Sequence, residues 1–132
     1  MPEGDQNMSG NSAVITEFVH SWADKNIDKI LDYFTEDAVY INIPIDPPNH
    51  GKAAIRAVIE QFMGMAEALE FVIHFQGETP EGLVMNERTD RFRINGRWLD
   101  LPVMGVFELE GGKIKAWRDY FDMNQFTSQM EG

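Results

Sequence analysis

The chain has 132 residues, of which 43% are hydrophobic and 11% aromatic, a composition that suits one domain with a core and excludes disorder throughout. It contains no cysteine, which excludes a disulfide framework, a thiolate nucleophile and a cysteine-ligated metal. Its formal net charge of -11, from 11 basic and 22 acidic side chains, repels phosphate backbones and anionic membrane surfaces, so neither nucleic acid nor membrane is an expected partner.

Residues 1–11 are polar and glycine-containing and are expected to be a flexible N-terminus, leaving 12–132 as a single domain. They carry neither a basic start nor an apolar h-region, and no apolar run approaches the ~20 residues of a membrane helix. A cytoplasmic protein is the expectation. From Ser12, with Ser12 or Asn11 able to cap the start, the pattern turns helical: Val14, Phe18 and Trp22 fall four apart, with Ile15 and Val19 beside them. Asp24-Lys25-Asn26 interrupts, and a shorter helix is predicted to carry Ile27, Ile30, Leu31 and Phe34. Ala38 to Ile43 reads as a strand. It runs into Pro44-Ile45-Asp46-Pro47-Pro48-Asn49, where the prolines predict an extended loop.

After Gly51 a third helix places Ile55, Val58, Ile59 and Phe62 on one face. Strands follow at Phe71–Gln76, Leu83–Ile94, Arg97–Leu109 and Lys113–Asp122, separated by Pro80-Glu81-Gly82, Asn95-Gly96 and Gly111-Gly112. Phe126 is expected to dock a short C-terminal turn. Helices gathered ahead of a strand meander predict an α+β fold: a curved, mostly antiparallel sheet wrapped over N-terminal helices, enclosing a conical cavity.

Strand residues two apart share a face. In Leu83–Ile94 one face carries Val84, Asn86, Arg88, Asp90, Phe92 and Ile94. Pointed inward, it would bury two charges that must then be paired; pointed outward, Arg88 and Asp90 form a surface ion pair, and the strand alone leaves both open. In the last strand Asp119 lies between Trp117 and Phe121. Lys113 and Lys115 break the parity of that face, which a bulge near Lys115 would restore. In the first strand Tyr40 and Asn42 share a face and offer a hydroxyl and an amide that together can hold a water. Each of these residues singly also fits a structural role. Together, two carboxylates, an arginine and a Tyr/Asn pair form a set able to run acid–base chemistry with water. His20, His50 and His74 lie in different elements without ligand spacing and read as structural or solvated.

Tyr40-Ile41-Asn42, Glu87-Arg88-Thr89-Asp90, Gly105-Val106-Phe107 and Trp117-Arg118-Asp119-Tyr120-Phe121-Asp122 resemble the signature segments of the limonene-1,2-epoxide hydrolase family, over nearly the whole chain from Val14 to Phe126. The resemblance implies the nuclear-transport-factor-2-like fold, shared with SnoaL-like proteins, and one-step, metal-free addition of water to a small apolar epoxide. By the same resemblance Asp119 is the general base, Tyr40 and Asn42 hold the attacking water, Asp90 is the general acid and Arg88 bridges the two carboxylates. Pocket walls are implied at Val19, Trp22 and Phe62 on the helices, Phe92, Leu101 and Val103 on the strands, and Phe121 and Phe126 near the C-terminus. No cofactor or metal is implied, and the fold suggests a homodimer. Two other readings share this fold: a polyketide-cyclase- or steroid-isomerase-type enzyme moving a proton beside a carbonyl, and a non-enzymatic small-molecule-binding domain. Neither requires a Tyr/Asn/Asp water site.

Overall fold

The computed structural model describes residues 10–45 and 47–131. Residues 1–9, most of the segment expected to be flexible, lie outside it, as does Asp46 in the proline-rich loop. Helix α1 spans Gly10–Ser21, so its first turn begins two residues ahead of Ser12. Ile15, Phe18 and Val19 bury one face, and a short 3-10 turn at Trp22–Asp24 ends the run. Lys25 closes that turn in the left-handed region (φ 55°), its N–H donating to the Trp22 carbonyl. Helix α2 covers only Ile27–Leu31, with Asn26 as N-cap accepting from the Lys29 N–H.

Phe34, read as part of that helix, instead opens strand β1, Phe34–Asn42. It pairs with Ile114 and sits 2% exposed among Phe18 and Trp117. A tertiary strand partner thus overrides a helical spacing that four residues alone suggested. Where an extended loop was expected, Ile43 and Pro44 form a turn closed by the Ile45 N–H donating to the Asn42 carbonyl, and the end of the loop forms β2, Asn49–His50, antiparallel to Val39–Tyr40. Helix α3, Gly51–Met65, buries Ile55 and Ile59. The remaining strands are β3 (Ala68–Glu78), β4 (Val84–Ile94), β5 (Arg97–Glu110) and β6 (Lys113–Tyr120). A full helix, α4 at Met123–Glu131, stands where a short turn was expected.

The six strands form one sheet in the order β2-β1-β6-β5-β4-β3, antiparallel throughout except for β1 beside β6. The fold is therefore the α+β architecture expected from the element order. Asn95 and Gly96 both adopt positive φ, as the tight β4–β5 hairpin demands. In β6, Ile114 pairs with Leu109 while Ala116 pairs with Glu108, so Lys115 is the extra residue of a bulge. That bulge returns Ile114, Trp117 and Asp119 to the same buried face, as the broken parity predicted. The helices cover this face, and an aromatic cluster fills the contact: Phe18 meets Trp22, Phe34, Phe107 and Trp117 edge-on. Among the described residues no helix is long and apolar enough to cross a membrane.

Candidate active site

Strand alternation in β4 resolves the choice the sequence left open. Val84, Asn86, Arg88, Asp90, Phe92 and Ile94 are all buried, and Met85, Glu87 and Arg93 are exposed. Arg88 is 1% exposed and Asp90 5%, so the pair is interior. Register brings the other members to it. Across the sheet, Asn42 of β1 lies opposite Asp119 of β6, which lies opposite Gly105 of β5, then Asn86 of β4 and Gln76 of β3. Five strands therefore contribute to a single transverse row, with a glycine at its centre.

The guanidinium of Arg88 reaches over that glycine. Its Nε and Nη2 donate to Asp90 Oδ1 and Oδ2, both at 2.9 Å, in a two-pronged contact. Nη2 also donates to Asp119 Oδ2 at 2.9 Å, and Nη1 to Asn86 Oδ1 at 2.9 Å. The second Asp119 oxygen, Oδ1, accepts from the indole Nε1 of Trp117 at 2.7 Å. Tyr40 stacks on that indole, ring centroids 4.1 Å apart and planes within 10°, and its hydroxyl donates to Asn42 Oδ1 at 3.1 Å.

One cation between two carboxylates leaves a buried group with a net negative charge. Burial pushes the Asp119 carboxyl up to about 6; the Asp90 charge adds to this, while the Arg88 charge and the donors from Arg88 and Trp117 oppose it. Arg88 stays protonated, because the two carboxylates outweigh the cost of its burial. Burial and the charge of Asp119 push the Tyr40 phenol well above its ordinary value, so it remains a neutral hydroxyl.

A narrow cavity of about 70 Å³ opens onto this centre. Its polar members are Tyr40, Asn42, Asp90 and Asp119. Of the expected walls, Trp22, Phe62, Phe92, Leu101, Val103, Phe121 and Phe126 line it. Val19 does not: it is 1% exposed within the core on α1. Phe71, Ile45 and Met123 line the cavity without having been singled out in the sequence. Phe71 faces Asp90 across the β3–β4 pairing, a register that the sequence does not announce. Among the described residues the indole Nε1 of Trp22 is the one buried side-chain polar atom with no hydrogen-bond partner. His20, His50 and His74 are all exposed and away from the cavity.

The family model for the limonene-1,2-epoxide hydrolase catalytic domain matches residues 9–131. Epoxide hydrolase EphG of Mycobacterium tuberculosis is 29% identical over 119 residues, covering 89% of this chain and 78% of that protein. The solved structure of an M. tuberculosis LEH-like epoxide hydrolase superposes with a TM-score of 0.80 at 26% identity, over 94% of this chain and 92% of that one. A putative SnoaL-like polyketide cyclase from Shewanella denitrificans shares the fold alone, with a TM-score of 0.79 at 14% identity over 92% of this chain and 96% of that one. With its signature segments in one buried row and the family model spanning nearly its full length, the chain belongs to the limonene-1,2-epoxide hydrolase family.

Proposed function

We propose that this protein adds water to a small, apolar epoxide in one step, without a metal, a cofactor or a covalent ester, and releases a vicinal diol. The observation that carries the reading is Arg88 bound at once to Asp90 and Asp119, beside a Tyr40–Asn42 pair, at the end of an aromatic-lined cavity. A proton shuttle beside a carbonyl needs an acid–base pair. A held water needs the Tyr/Asn/Asp cluster as well, which favours hydrolysis over isomerase or binding roles on the same fold.

The roles are those the family resemblance implies, and the donor and acceptor inventory of the site accommodates them. The Tyr40 hydroxyl donates a hydrogen bond to Asn42 Oδ1, which leaves the Asn42 amide N–H groups and the phenolic oxygen for a water. That water donates one proton toward Asp119 and keeps a lone pair for the epoxide carbon. Its oxygen forms the new C–O bond as the strained C–O bond of the ring breaks. The water proton passes to Asp119, the general base, and Asp90, the general acid, protonates the departing ring oxygen. Proton return from Asp119 to Asp90 resets the pair, and epoxide plus water equals diol. Arg88 keeps the carboxylates in register and lets them share one proton in two roles.

The test is a single turnover in ¹⁸O-water, enzyme in excess, with small cyclic and aromatic epoxides and a chelator present. Label in the diol during the first turnover is expected. Unlabelled diol, with ¹⁸O in a peptide bearing Asp119 or Asp90, would establish an ester intermediate, and no diol from any epoxide would end the reading.

A further inference from the structure

Arg88 uses Nε and Nη2 for the two carboxylates, while Nη1 goes to Asn86 Oδ1. Asn86 is 1% exposed and touches no part of the cavity. Its own amide is held in turn: Nδ2 donates to Gln76 Oε1 at 3.1 Å. The two N–H groups of Gln76 Nε2 are shared among three acceptors on the first turns of α1, namely the Ser12 carbonyl at 3.1 Å, Ser12 Oγ at 2.8 Å and Thr16 Oγ1 at 3.0 Å.

The direction of this chain of bonds is locked at both ends. A backbone carbonyl can only accept and a guanidinium can only donate. The Gln76 amide must therefore present N–H to α1 and oxygen to Asn86, and Asn86 must present N–H to Gln76 and oxygen to Arg88. Neither amide can turn over without placing donor against donor or acceptor against acceptor. Two amides in series thus carry the orientation of α1, across β3 and β4, to the guanidinium.

We infer that Asn86, oriented by Gln76, is a positioning residue that sets the plane of the Arg88 guanidinium and so the placement of Asp90 and Asp119 relative to each other. The positioning role rests on the hydrolytic reading of this centre; its electrostatic consequence does not. Asp90 Oδ2 and Asp119 Oδ2 share the single nitrogen Nη2, so a tilt of the guanidinium displaces both contacts together. A third anchor on Nη1 removes that freedom. The anchor is also neutral. An amide oxygen satisfies Nη1 without adding a negative charge, whereas a carboxylate would add one to the buried group and raise the carboxyl groups further.

The experiment uses the full chain and the variants Asn86→Asp, Asn86→Leu and Gln76→Leu, each checked for folding by circular dichroism. Two readouts are taken: the ¹³C carboxyl titration of Asp119 by NMR without substrate, and kcat and KM for epoxide opening against pH. The groups facing Asp119 are Arg88 and Asp90 from β4 and Tyr40 from β1, with Trp117 on its own strand and no side chain at Gly105 on β5. Asn86→Asp is expected to move the Asp119 titration, and the acidic limb of the rate profile, to higher pH. Asn86→Leu is expected to lower kcat on the order of 100-fold with KM little changed, because misplaced catalytic groups cost about that much. Gln76→Leu, at a half-buried position on the edge strand β3, acts in the same direction more weakly and decides the matter if neither Asn86 variant folds. Folded variants with parental kcat, rate profile and carboxyl titration would overturn the inference. A parent inactive on every epoxide, with Asp119 titration still displaced by Asn86→Asp, would end the hydrolytic reading and leave the coupling of Asn86 to the carboxylates standing.

Discussion

Gly105 lies directly across from Asp119 in the β5–β6 pairing, and a Cβ placed on it would stand 2.8 Å from Asp119 Oδ1. The same atom would meet Arg88 Nη1 at 2.5 Å and Asn86 Oδ1 at 3.1 Å. The space a side chain would occupy at the centre of the row is the space through which Arg88 reaches Asp119.

Gly105→Ala should therefore inactivate the protein without touching a functional group. All three neighbours are buried and mutually bonded, so none can swing aside cheaply. Overpacking of this kind costs about 1–3 kcal/mol of stability, and displacement of the guanidinium should lower kcat on the order of 100-fold. Thermal unfolding and steady-state kinetics of the one variant check both, and parental kcat would show that the row has slack.

The pH dependence follows from Asp119. The proposed base must be ionised, and its carboxyl is pushed up to about 6, so kcat/KM should rise with pH through about 6. Stability runs the opposite way. A carboxyl whose folded value lies above its unfolded one contributes stability in full below the unfolded value, near 3.8, and loses it as pH rises through about 6. Asp119→Asn should show no turnover at any pH. Its melting temperature relative to the parent should climb over the same interval, measured by calorimetry at several pH values.

Tyr40→Phe and Asn42→Ala each remove one partner of the held water. Turnover should fall by roughly 10²–10⁴-fold in each, the range attributed to positioned acid–base groups. Tyr40→Phe keeps the stacking on Trp117 and so should fold normally. Near-parental turnover in both would return the pair to a structural role.

Trp22 and Phe62 are among the walls of the cavity of about 70 Å³, which has room for only a few waters at ≳10–15 Å³ each. Trp22→Leu should widen it and raise kcat/KM for bulkier epoxides relative to small ones. It also removes edge-on contacts with Phe18 and Trp117, so a loss of about 1–3 kcal/mol is expected by chemical denaturation. An unchanged ranking of substrates by size would show that another wall sets the limit.

On the outer face of the sheet Phe75 is 73% exposed, with Met85, Met104 and Tyr120 also exposed nearby across β3–β6. Such a patch calls for cover, and the proposed cover is a second copy of the chain. Sedimentation at micromolar concentration should show a dimer, and Phe75→Asp combined with Met104→Glu should shift it to monomer. A monomeric parent would count against this assembly.

Which residues share a face was legible from residue order. The pleat of a strand is local, so Asn86, Arg88 and Asp90 had to lie together, and the broken parity at Lys113 and Lys115 already implied the bulge now seen at Lys115. The family segments were equally local and legible. That the Arg88 face points inward depends on the folded arrangement, because burying charge is favourable only with partners that arrive from elsewhere in the chain. Asn42 meets Asp119 through the parallel β1–β6 pairing, a contact between distant strands that no turn signal announces. Phe34 left its helical spacing for the same long-range pairing, and Val19 turned into the core instead of the cavity. Gln76 joins the site through register alone, and register likewise sets Gly105 opposite Asp119: an amide and a glycine have no assigned place until five strands align them on one buried row.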